Sequence, residues 1–502
     1  MAADSGSAWP ALSIEDANRK LAEPGTPLAV SEGVIDGISM KYYPEAPPTI
    51  RFLAEASALH GDRDFLVYEH ERASFLAHLK AVSHLAHALK DEFGIAKGDR
   101  VAIIMRNYPQ WSVAFFAALS VGAIATPMNS WWTGEELEYG LQNSGAKLAI
   151  VDPQIYERIR EHVDQLPELD SIIIARETEE ERNHPGVYNL EDIIGETNDW
   201  AGLEPRSLPD VEIAPDDDAT LMYTSGTTGK PKGALATHRA VISNFLNSMT
   251  CQARMYLRRG EALPEPDPDV QRATLLSIPF FHATGAFAIL IPTLLRGDKI
   301  ICMYKWDADK ALPIIEKEKV TTIGGVPAIA WQVLEHPDRD KYDLSSIEVV
   351  SYGGAPSAPE LVSTIKKRFP EAAPGNGWGM TETCATVTLN IGEDYVHRPD
   401  SAGAPPLAVD LKIVGPDGKT LPPGEVGELW CKSPSNCKSY WNRPDATAET
   451  FRDGWVVTGD LARLDEEGFL YLVDRAKDML IRGGENIYSI EVESALYDHP
   501  AV

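Results

Sequence analysis

The chain has 502 residues, and its 46 Lys and Arg against 75 Asp and Glu give a formal net charge of -29. This acidity argues against nucleic acid or an anionic membrane surface as a partner, and the length predicts about two to four structural units. The five cysteines are scattered and form no CxxC pair. They predict neither disulfides nor a zinc site. A reducing compartment is therefore expected, which predicts a cytoplasmic location. Because the longest apolar runs are short, no integral membrane segment is expected.

The first half of the chain alternates predicted strands with predicted helices. Residues 1–48 are polar and rich in Pro and Ala, which predicts an N-terminal arm. A helix with Ser74 as its cap, a strand over 100–105 and a strand over 147–151 then follow. This alternation is typical of parallel sheets covered on both faces. It predicts a first α/β subdomain over 49–218.

A second α/β subdomain is predicted over 219–391. Its predicted strands cover 273–278, 320–323 and 347–351, and each is followed within two residues by Pro or Gly. Because ligands of open parallel sheets gather at the carboxyl ends of strands, these ends predict one crevice. The sequence pattern then changes to short β-rich runs separated by Asp-Gly, Pro-Gly and Glu-Gly pairs. Turn dipeptides at these positions predict a small antiparallel, β-barrel-like subdomain over 392–474.

Residues 223–233 read Tyr-Thr-Ser-Gly-Thr-Thr-Gly-Lys-Pro-Lys-Gly, directly after an apolar run that predicts a buried strand. Three glycines, four hydroxyls and two lysines suit a polyanion, because glycines let backbone N–H groups approach and lysines add charge. The spacing excludes the Walker loop, which needs four residues between its first glycine and Gly-Lys. The alternative is a flexible surface connector. Two lysines and a proline are not typical of flexible linkers, which are rich in Gly and Ser.

A second polar motif, Gly-Trp-Gly-Met-Thr-Glu, occupies residues 377–382. Flanking glycines would leave a face of Trp378 uncovered, so that it could stack on a flat ring, while Thr381 and Glu382 suit phosphate and Mg²⁺. The alternative is a core tryptophan followed by a helix cap.

The loop at 223–233 resembles the signature loop of the adenylate-forming superfamily, which comprises acyl-CoA synthetases, peptide-synthetase adenylation domains and beetle luciferases. Four further motifs resemble that family in the same order. They are Trp-Gly-Met-Thr-Glu at 378–382, Thr-Gly-Asp at 458–460, Asp-Arg-Ala-Lys-Asp at 474–478 and Arg-Gly-Gly-Glu-Asn-Ile at 482–487. The resemblance covers about residues 48–502 and implies an AMP-forming acyl-CoA synthetase that uses ATP, Mg²⁺ and CoA. A carboxylate would attack the α-phosphate and expel pyrophosphate, and the CoA thiol would then displace AMP.

The resemblance also implies roles for individual residues. The catalytic set is Thr224, Lys230, Lys232, Thr381 and Glu382, with Glu382 as the metal ligand. The nucleotide-binding set is Ser225, Gly226, Thr227, Thr228, Gly229, Gly354, Ala355, Pro356, Asn376, Gly377, Trp378, Gly379, Met380, Asp460 and Arg475. Asp460 and Arg475 would hold the ribose. The local pattern alone is also compatible with Asp460 as a β-turn residue and Arg475 as a surface charge.

His282, Tyr352 and Gly353 are the predicted substrate-binding residues. A histidine on an apolar segment is otherwise most often a core residue, but relatives use the position of His282 to gate the carboxylate pocket. Amino-acid-activating relatives carry Asp there, since a buried ammonium needs a partner. His282 therefore predicts an acid without an α-amino group. Medium or long fatty acids, or bulky aryl-alkyl acids, are favoured, with an apolar pocket lined by Phe281, Phe287, Trp331 and Tyr352.

By resemblance, residues 475–477 form an interdomain hinge with Lys477 as its pivot, and 478–502 begin an incomplete C-terminal lid. Relatives carry a lysine near the end of the lid that contacts the acyl carboxylate and the α-phosphate, and this sequence stops before such a residue. We therefore expect this chain to bind ATP, AMP and the acyl adenylate, but to adenylate slowly.

Three alternatives to an acyl-CoA synthetase share the nucleotide motifs. A stand-alone adenylating enzyme would load a carrier protein instead of CoA. A non-enzymatic nucleotide-binding module is of a different class, and luciferase-like oxidation is a remote third. A homodimer is left open by the sequence.

Overall fold

The protein is described here by a computed structural model that covers residues 9–177, 185–224, 230–265, 267, 269–355, 357–475, 480–482, 485–487 and 492. The arm forms one helix and a hairpin: α1 (Ile14–Leu21), β1 (Ser31–Ile35) and β2 (Ile38–Tyr42). Helix α1 begins at Ser13, whose side chain accepts a hydrogen bond from the Asp16 amide.

The next elements alternate as the sequence predicts. They are α2 (Ile50–Ala56), β3 (Asp64–Tyr68), β4 (Glu71–Ser74), α3 (Phe75–His87), β5 (Arg100–Ile104), α4 (Pro109–Ser120), β6 (Ile124–Pro127), α5 (Gly134–Ser144), β7 (Ala146–Val151), α6 (Pro153–Ile159), β8 (Ser171–Ile174), β9 (Val187–Asn189) and α7 (Glu191–Ile194). Ser74 caps α3 as predicted, since its hydroxyl accepts from the Ala77 amide.

The middle of the chain continues the alternation. Its elements are β10 (Asp218–Tyr223), β11 (Gly233–Thr237), α8 (His238–Arg259), β12 (Ala273–Leu276), α9 (Ile291–Arg296), β13 (Lys299–Cys302), α10 (Ala308–Glu318), β14 (Thr322–Gly325), α11 (Pro327–Leu334), β15 (Val349–Gly353), α12 (Pro359–Arg368), β16 (Ala373–Met380), β17 (Ala385–Ile391) and α13 (Glu393–His397).

The last part is mostly strand. It contains β18 (Asp410–Val414), β19 (Gly427–Lys432), β20 (Ser439–Tyr440), α14 (Pro444–Thr450), β21 (Phe451–Arg452), β22 (Trp455–Leu464), β23 (Leu470–Arg475), β24 (Leu480–Arg482) and β25 (Glu485–Ile487).

Three sheets organise these strands. Sheet I has the order β20-β11-β10-β6-β5-β7-β8-β9, and sheet II the order β17-β16-β15-β14-β12-β13-β3-β4. The inner pairs of both are parallel. A smaller curled sheet, β18-β19-β22-β21 with β23 on β22, is antiparallel. The α/β class with parallel-rich sheets and a small antiparallel unit is therefore confirmed.

The strand pairing crosses the boundary that the sequence places at residue 218. Strands β10 and β11 join sheet I, where Thr220 lies opposite Ala125 of β6, while β3 and β4 from the first half lie in sheet II. Strand β20, from the predicted barrel region, pairs with β11. Sheet I therefore contains strands from both sides of residue 218, because sequence order does not specify which sheet edge a hairpin joins.

Helix α4 explains the apolar run that follows residue 112. All twelve of its residues are buried, and Trp111 stacks on Phe115 and on Phe280 from the segment after β12. The run is a core element between the two sheets. Within the part of the chain that the structure describes, no helix is long and apolar enough to cross a bilayer.

Ion pairs hold the three consecutive aspartates at residues 216–218, where β10 begins. Asp216 pairs with Arg239 at 2.6 Å, Asp217 with Lys97 at 2.6 Å, and Asp218 with Lys438 at 2.6 Å.

Arg258 fastens the arm to the body of the protein. Its side chain, 1% exposed, pairs with Asp394 at 2.8 Å and donates from Nη1 to the Leu12 carbonyl oxygen at 2.9 Å. Removing one partner of such a pair leaves a buried charge uncompensated. The pair therefore anchors α8, α13 and the arm together.

We expect Asp394→Ala to lower the free energy of unfolding by about 3–5 kcal/mol, because it leaves the buried Arg258 charge without its carboxylate partner. Urea denaturation followed by tryptophan fluorescence measures the change. The control is Arg19→Ala, which removes exposed pairs with Glu15 and Asp16 and should cost less than about 1 kcal/mol. Equal effects of the two substitutions would contradict the anchoring role.

Candidate active site

The signature loop leaves sheet I as the turn between β10 and β11. The backbone N–H of Thr224 donates to the Lys232 carbonyl oxygen at 2.9 Å, which closes the base of the turn. The Thr224 hydroxyl is buried and has no hydrogen-bond partner among the described residues. A buried hydroxyl without a partner is costly, so this atom fits a ligand oxygen. The predicted residues Ser225, Gly226, Thr227, Thr228 and Gly229 lie outside the described part of the chain.

The two lysines of the loop each lie over an aromatic ring. Lys230 Nζ is 4.5 Å from the centre of the Tyr139 ring, and Lys232 Nζ is 4.3 Å from that of Tyr440. The Tyr139 hydroxyl donates to the Pro231 carbonyl oxygen at 3.1 Å. Neither lysine pairs with a carboxylate among the residues that the structure covers. Their charges are held in place but not neutralised, as a polyphosphate site requires.

Tyr440 joins the loop to the second motif. Its hydroxyl donates to Glu382 Oε1, while its ring lies under Lys232. Glu382 is only 6% exposed, and its carbonyl oxygen accepts from the Cys437 amide at 2.8 Å. Lys232 and Glu382, which the sequence analysis predicts in one site, are therefore brought together. The sequence carried no signal for Tyr440, because its position depends on the pairing of β20 with β11.

Trp378, Asp460 and Arg475 form a second connected group. The indole Nε1–H of Trp378 donates to Asp460 Oδ2 at 2.9 Å, and Arg475 Nε lies 3.5 Å from Asp460 Oδ1. Pairing of β22 with β23 places Asp460 opposite Arg475. Burial raises the pKa of Asp460, whereas the Trp378 hydrogen bond and the charge of Arg475 oppose that rise.

The ring of Trp378 is less open than its flanking glycines suggest. It is 8% exposed and packs in a cluster with Val387 and Leu429. The adjacent Gly379 has a different function, because a Cβ there would lie 1.6 Å from the Ala385 carbonyl oxygen of the paired strand β17. Glycine is thus required by close backbone approach. Stacking of Trp378 on adenine stays a prediction.

A cavity of about 900 Å³ opens between sheet II and α8. Nine of the predicted site residues line it: His282, Tyr352, Gly353, Gly354, Gly377, Trp378, Gly379, Met380 and Thr381. The other predicted site residues that the structure describes do not line it: Thr224, Lys230, Lys232, Ala355, Asn376, Glu382, Asp460 and Arg475. The carboxyl ends of β14, β15 and β16 border the cavity, as expected for open parallel sheets.

The expected apolar lining is only partly correct. Tyr352 lines the cavity, but Phe281 and Phe287 are buried in the core, and Trp331 packs against the cluster beneath α11. The apolar wall comes instead from α8 and its neighbours, which include Phe245, Met249, Met255, Ala288, Ile289, Ile323 and Leu389. The sequence could not reveal which face of α8 points to the cavity, since both faces of this helix are largely buried.

His282 lies at the cavity wall, with its ring 4.7 Å from that of Phe281. Although the residue is exposed within the crevice, desolvation by the surrounding protein lowers its pKa. The imidazole is therefore neutral near pH 7 and offers one donor and one acceptor. Pro356 and the predicted hinge Lys477 lie outside the described residues.

Comparison with known proteins identifies the family. A family model described as "AMP-binding enzyme" matches residues 53–441. The chain is 36% identical to feruloyl-CoA synthase of Amycolatopsis sp. over 84% of its length and 77% of the relative. It is 33% identical to the long-chain-fatty-acid–CoA ligase FadD13 of Mycobacterium tuberculosis, over 85% of this chain and 78% of that relative.

Solved structures agree with these relatives. The anthranilate CoA ligase AuaEII in complex with anthranoyl-AMP has a TM-score of 0.79 and 25% identity, over 90% of this chain and 83% of that one. The o-succinylbenzoate CoA synthetase MenE of Bacillus subtilis in complex with ATP and magnesium has a TM-score of 0.73 and 29% identity, over 91% and 85%. Acyl-CoA ligases of this family use ATP, Mg²⁺ and CoA. The chain belongs to the AMP-binding enzyme family and is an acid–CoA ligase of the adenylate-forming type.

Proposed function

We propose that this enzyme activates a medium- or long-chain fatty acid, or an elongated aryl-alkyl acid, as its acyl adenylate and transfers the acyl group to CoA. The observation that carries the proposal is the cavity of about 900 Å³ that opens beside Thr381 and His282 and extends away from them along sheet II. Two relatives are named for a substituted aryl acid and for long-chain fatty acids, which matches an extended apolar site.

The cavity is long enough for more than one aromatic ring. Both Ala373 and Gly377 of β16 line it, and these two residues are about 13 Å apart at a rise of about 3.3 Å per residue. An extended carbon chain with bonds of about 1.5 Å advances about 1.3 Å per bond, so about ten methylenes fit this span. An acetate-sized acid would leave most of it empty.

For adenylation, the protein has to hold two anions close together, the acid carboxylate and the phosphates of ATP. Lys230 and Lys232 supply charge for the phosphates, and the buried Thr224 hydroxyl supplies a donor that has no other partner among the described residues. Thr381 lines the end of the cavity where the acid carboxylate and the α-phosphate would meet. The carboxylate is itself the nucleophile, so positioning and charge stabilisation are the protein's contribution.

Glu382 fits a magnesium ion that is shared with the phosphates. Among the described residues, no group of three His, Cys, Asp or Glu side chains could enclose a metal. Mg²⁺ is typically held by one or two carboxylates together with phosphate oxygens and water, so a single buried Glu is a suitable protein ligand. When bound, the ion neutralises charge on the phosphates. Tyr440 fixes the orientation of the Glu382 carboxylate through its hydroxyl.

Asp460 is suited to accept hydrogen bonds from the two ribose hydroxyls. Trp378 and Arg475 contact different oxygens of its carboxylate and so fix the plane of the group. Because one carboxylate has about four lone-pair sites, acceptor capacity remains for a ribose. We propose that Trp378 positions Asp460 as well as bordering the adenine.

The neutral His282 favours an acid without an ammonium group. A buried substrate cation would need a carboxylate partner, and His282 cannot supply one. CoA is favoured as the acceptor over a carrier protein by the activities for which the relatives are named.

A panel of carboxylic acids tests the proposed function. Thioester formation from ATP and CoA should be fastest with medium- or long-chain fatty acids or elongated aryl-alkyl acids, and slow with acetate and with α-amino acids. Liquid chromatography with mass detection measures the thioester, and AMP release is measured in parallel with CoA or with a phosphopantetheinylated carrier protein. A preference for an α-amino acid or for the carrier protein would contradict the proposal.

Tyr440→Phe should lower kcat/KM for MgATP by about tenfold or more, because a hydrogen bond to a charged group contributes about 1.5–3 kcal/mol. The substituted ring still lies under Lys232, so the loss reports the hydroxyl alone. Steady-state ATP–pyrophosphate exchange measures it. Tyr471→Phe is the matched control, since it removes a hydroxyl bonded to Asp465 at 3.2 Å, a tyrosine–carboxylate contact outside the site. Parallel losses in the two variants would refute the role of Tyr440.

Trp378→Phe should shift the acid limb of ATP binding to higher pH. Asp460 must be ionised to accept from the ribose, so affinity is present above its pKa and is lost as the pH falls through it. Loss of the indole N–H removes an interaction that lowers this pKa. KM for ATP measured from about pH 5 to 8 follows the limb.

Trp430→Phe is the control for this shift. Its indole donates to Glu428 at 3.1 Å, the same kind of bond on another strand. An unshifted profile in Trp378→Phe, or an equal shift in Trp430→Phe, would contradict the assignment of Asp460.

A further inference from the structure

We infer that the N-terminal arm forms the end wall of the acyl cavity and thereby sets the length of the acid that the enzyme activates. This inference rests on the proposed function, because it assigns the cavity to the acyl chain. It adds a specificity element that lies before residue 53, where the match to the family model begins.

Two buried leucines of the arm are part of the wall. Leu21, the last residue of α1, is 4% exposed, and Leu28 is 7% exposed, and both line the cavity. Lys20, Thr26 and Pro27 line it beside them. The arm thus contributes two short pieces to the cavity surface, residues 20–21 and 26–28.

The direction of α8 places the arm at the end remote from the chemistry. Asn244, near the start of α8, donates to the Thr386 carbonyl oxygen at 2.6 Å, whereas Met255, near its end, lies against Gly392. Since β17 is antiparallel to β16, this path runs from the level of Gly379 back towards the amino end of β16. The end of α8 therefore lies far from Thr381.

The arm is attached to that same end of α8. The Ala11 amide donates to the Arg258 carbonyl oxygen at 2.8 Å, and Arg254 Nη1 lies 3.4 Å from Asn18 Oδ1. Together with the Arg258 bond to Leu12, these contacts fix α1 across the helix. The wall is thus opposite the site of the reacting carboxylate, where the methyl end of a bound acid would lie.

Local hydrogen bonds hold the wall in shape. The Thr26 hydroxyl donates to the carbonyl oxygens of Leu21 at 2.8 Å and Glu23 at 2.9 Å, and the Ala29 amide donates to the Thr26 carbonyl oxygen at 3.1 Å. These bonds close the turn between the two leucines. A fixed apolar wall can discriminate chain lengths, because an acid that is too long has to displace packed side chains.

The chemistry of the end wall matches a saturated terminus. Leu21 and Leu28 face a cavity whose nearby wall carries the flexible thioethers of Met249 and Met255. Arg272 and Arg296 also line the cavity, and both are paired, Arg272 with Glu348 at 2.7 Å and Arg296 with Asp298 at 2.9 Å. The two leucines and the two methionines therefore suit a methyl terminus.

Opposite substitutions at one arm position test the inference. Leu28→Ala enlarges the cavity and should move the preferred saturated fatty acid to a longer chain, whereas Leu28→Trp should move it to a shorter one. The measured quantity is the ratio of kcat/KM for long over short acids, and we expect it to change by at least about tenfold in each direction. Leu21→Ala repeats the enlargement at an independent position.

Two controls separate the possible failures. Val34→Trp places the same bulk on the exposed hairpin, where Val34 is 72% exposed and does not line the cavity, and should leave the ratio unchanged. General destabilisation would lower activity with all acids and cannot produce shifts of opposite sign. Thermal melting and AMP binding verify that each variant is folded.

An unchanged chain-length profile in the folded Leu28 and Leu21 variants would overturn the inference while leaving the proposed function intact. If the unaltered enzyme converts neither fatty acids nor elongated aryl-alkyl acids, the proposed function itself fails, and the two results are thus distinguishable.

Discussion

The contact of Tyr440 with both Lys232 and Glu382 is the interaction on which the site depends. Lys232 ends the loop of sheet I, and Glu382 lies two residues after Met380, the last residue of β16 in sheet II. One tyrosine, placed on the short edge strand β20, satisfies the buried carboxylate and lies under the ammonium group. Without Tyr440, the positions of the Lys232 ammonium group and the Glu382 carboxylate relative to each other would not be fixed by this contact. Tyr440 therefore connects the two sheets at the anion site that we propose.

Close backbone approach is the second constraint. A Cβ at Gly353 would lie 2.5 Å from the Gly377 carbonyl oxygen, and one at Gly324 would lie 1.7 Å from that of Ser351. These glycines keep β14, β15 and β16 in register at their carboxyl ends, where the cavity opens. Sheet II, α8 and the arm all line that cavity. In the function that we propose, nucleotide chemistry and acyl selection share this framework but use opposite ends of the strands.

Much of this arrangement could be predicted from the sequence, because it is local. The cap at Ser74, the strands around residues 100 and 147 and the glycines that end β14 and β15 all follow from periodicity and turn chemistry. Long-range pairing could not be predicted in this way. Which sheet accepts β10 and β11, and which tyrosine reaches Glu382, depend on contacts between residues far apart in the chain. For the same reason, the lining of the cavity was assigned to aromatic residues that lie in the core.

The central claim is that the turn after β10 and Glu382 bind one nucleotide between them. A crystal structure of the protein with a hydrolysis-resistant ATP analogue and Mg²⁺ tests it directly. The account predicts phosphate oxygens within hydrogen-bond distance of Lys232 and the Thr224 hydroxyl, a metal ion on Glu382 and the ribose on Asp460. A nucleotide bound on another surface, with Tyr440 and Glu382 unchanged and no metal between them, would contradict it.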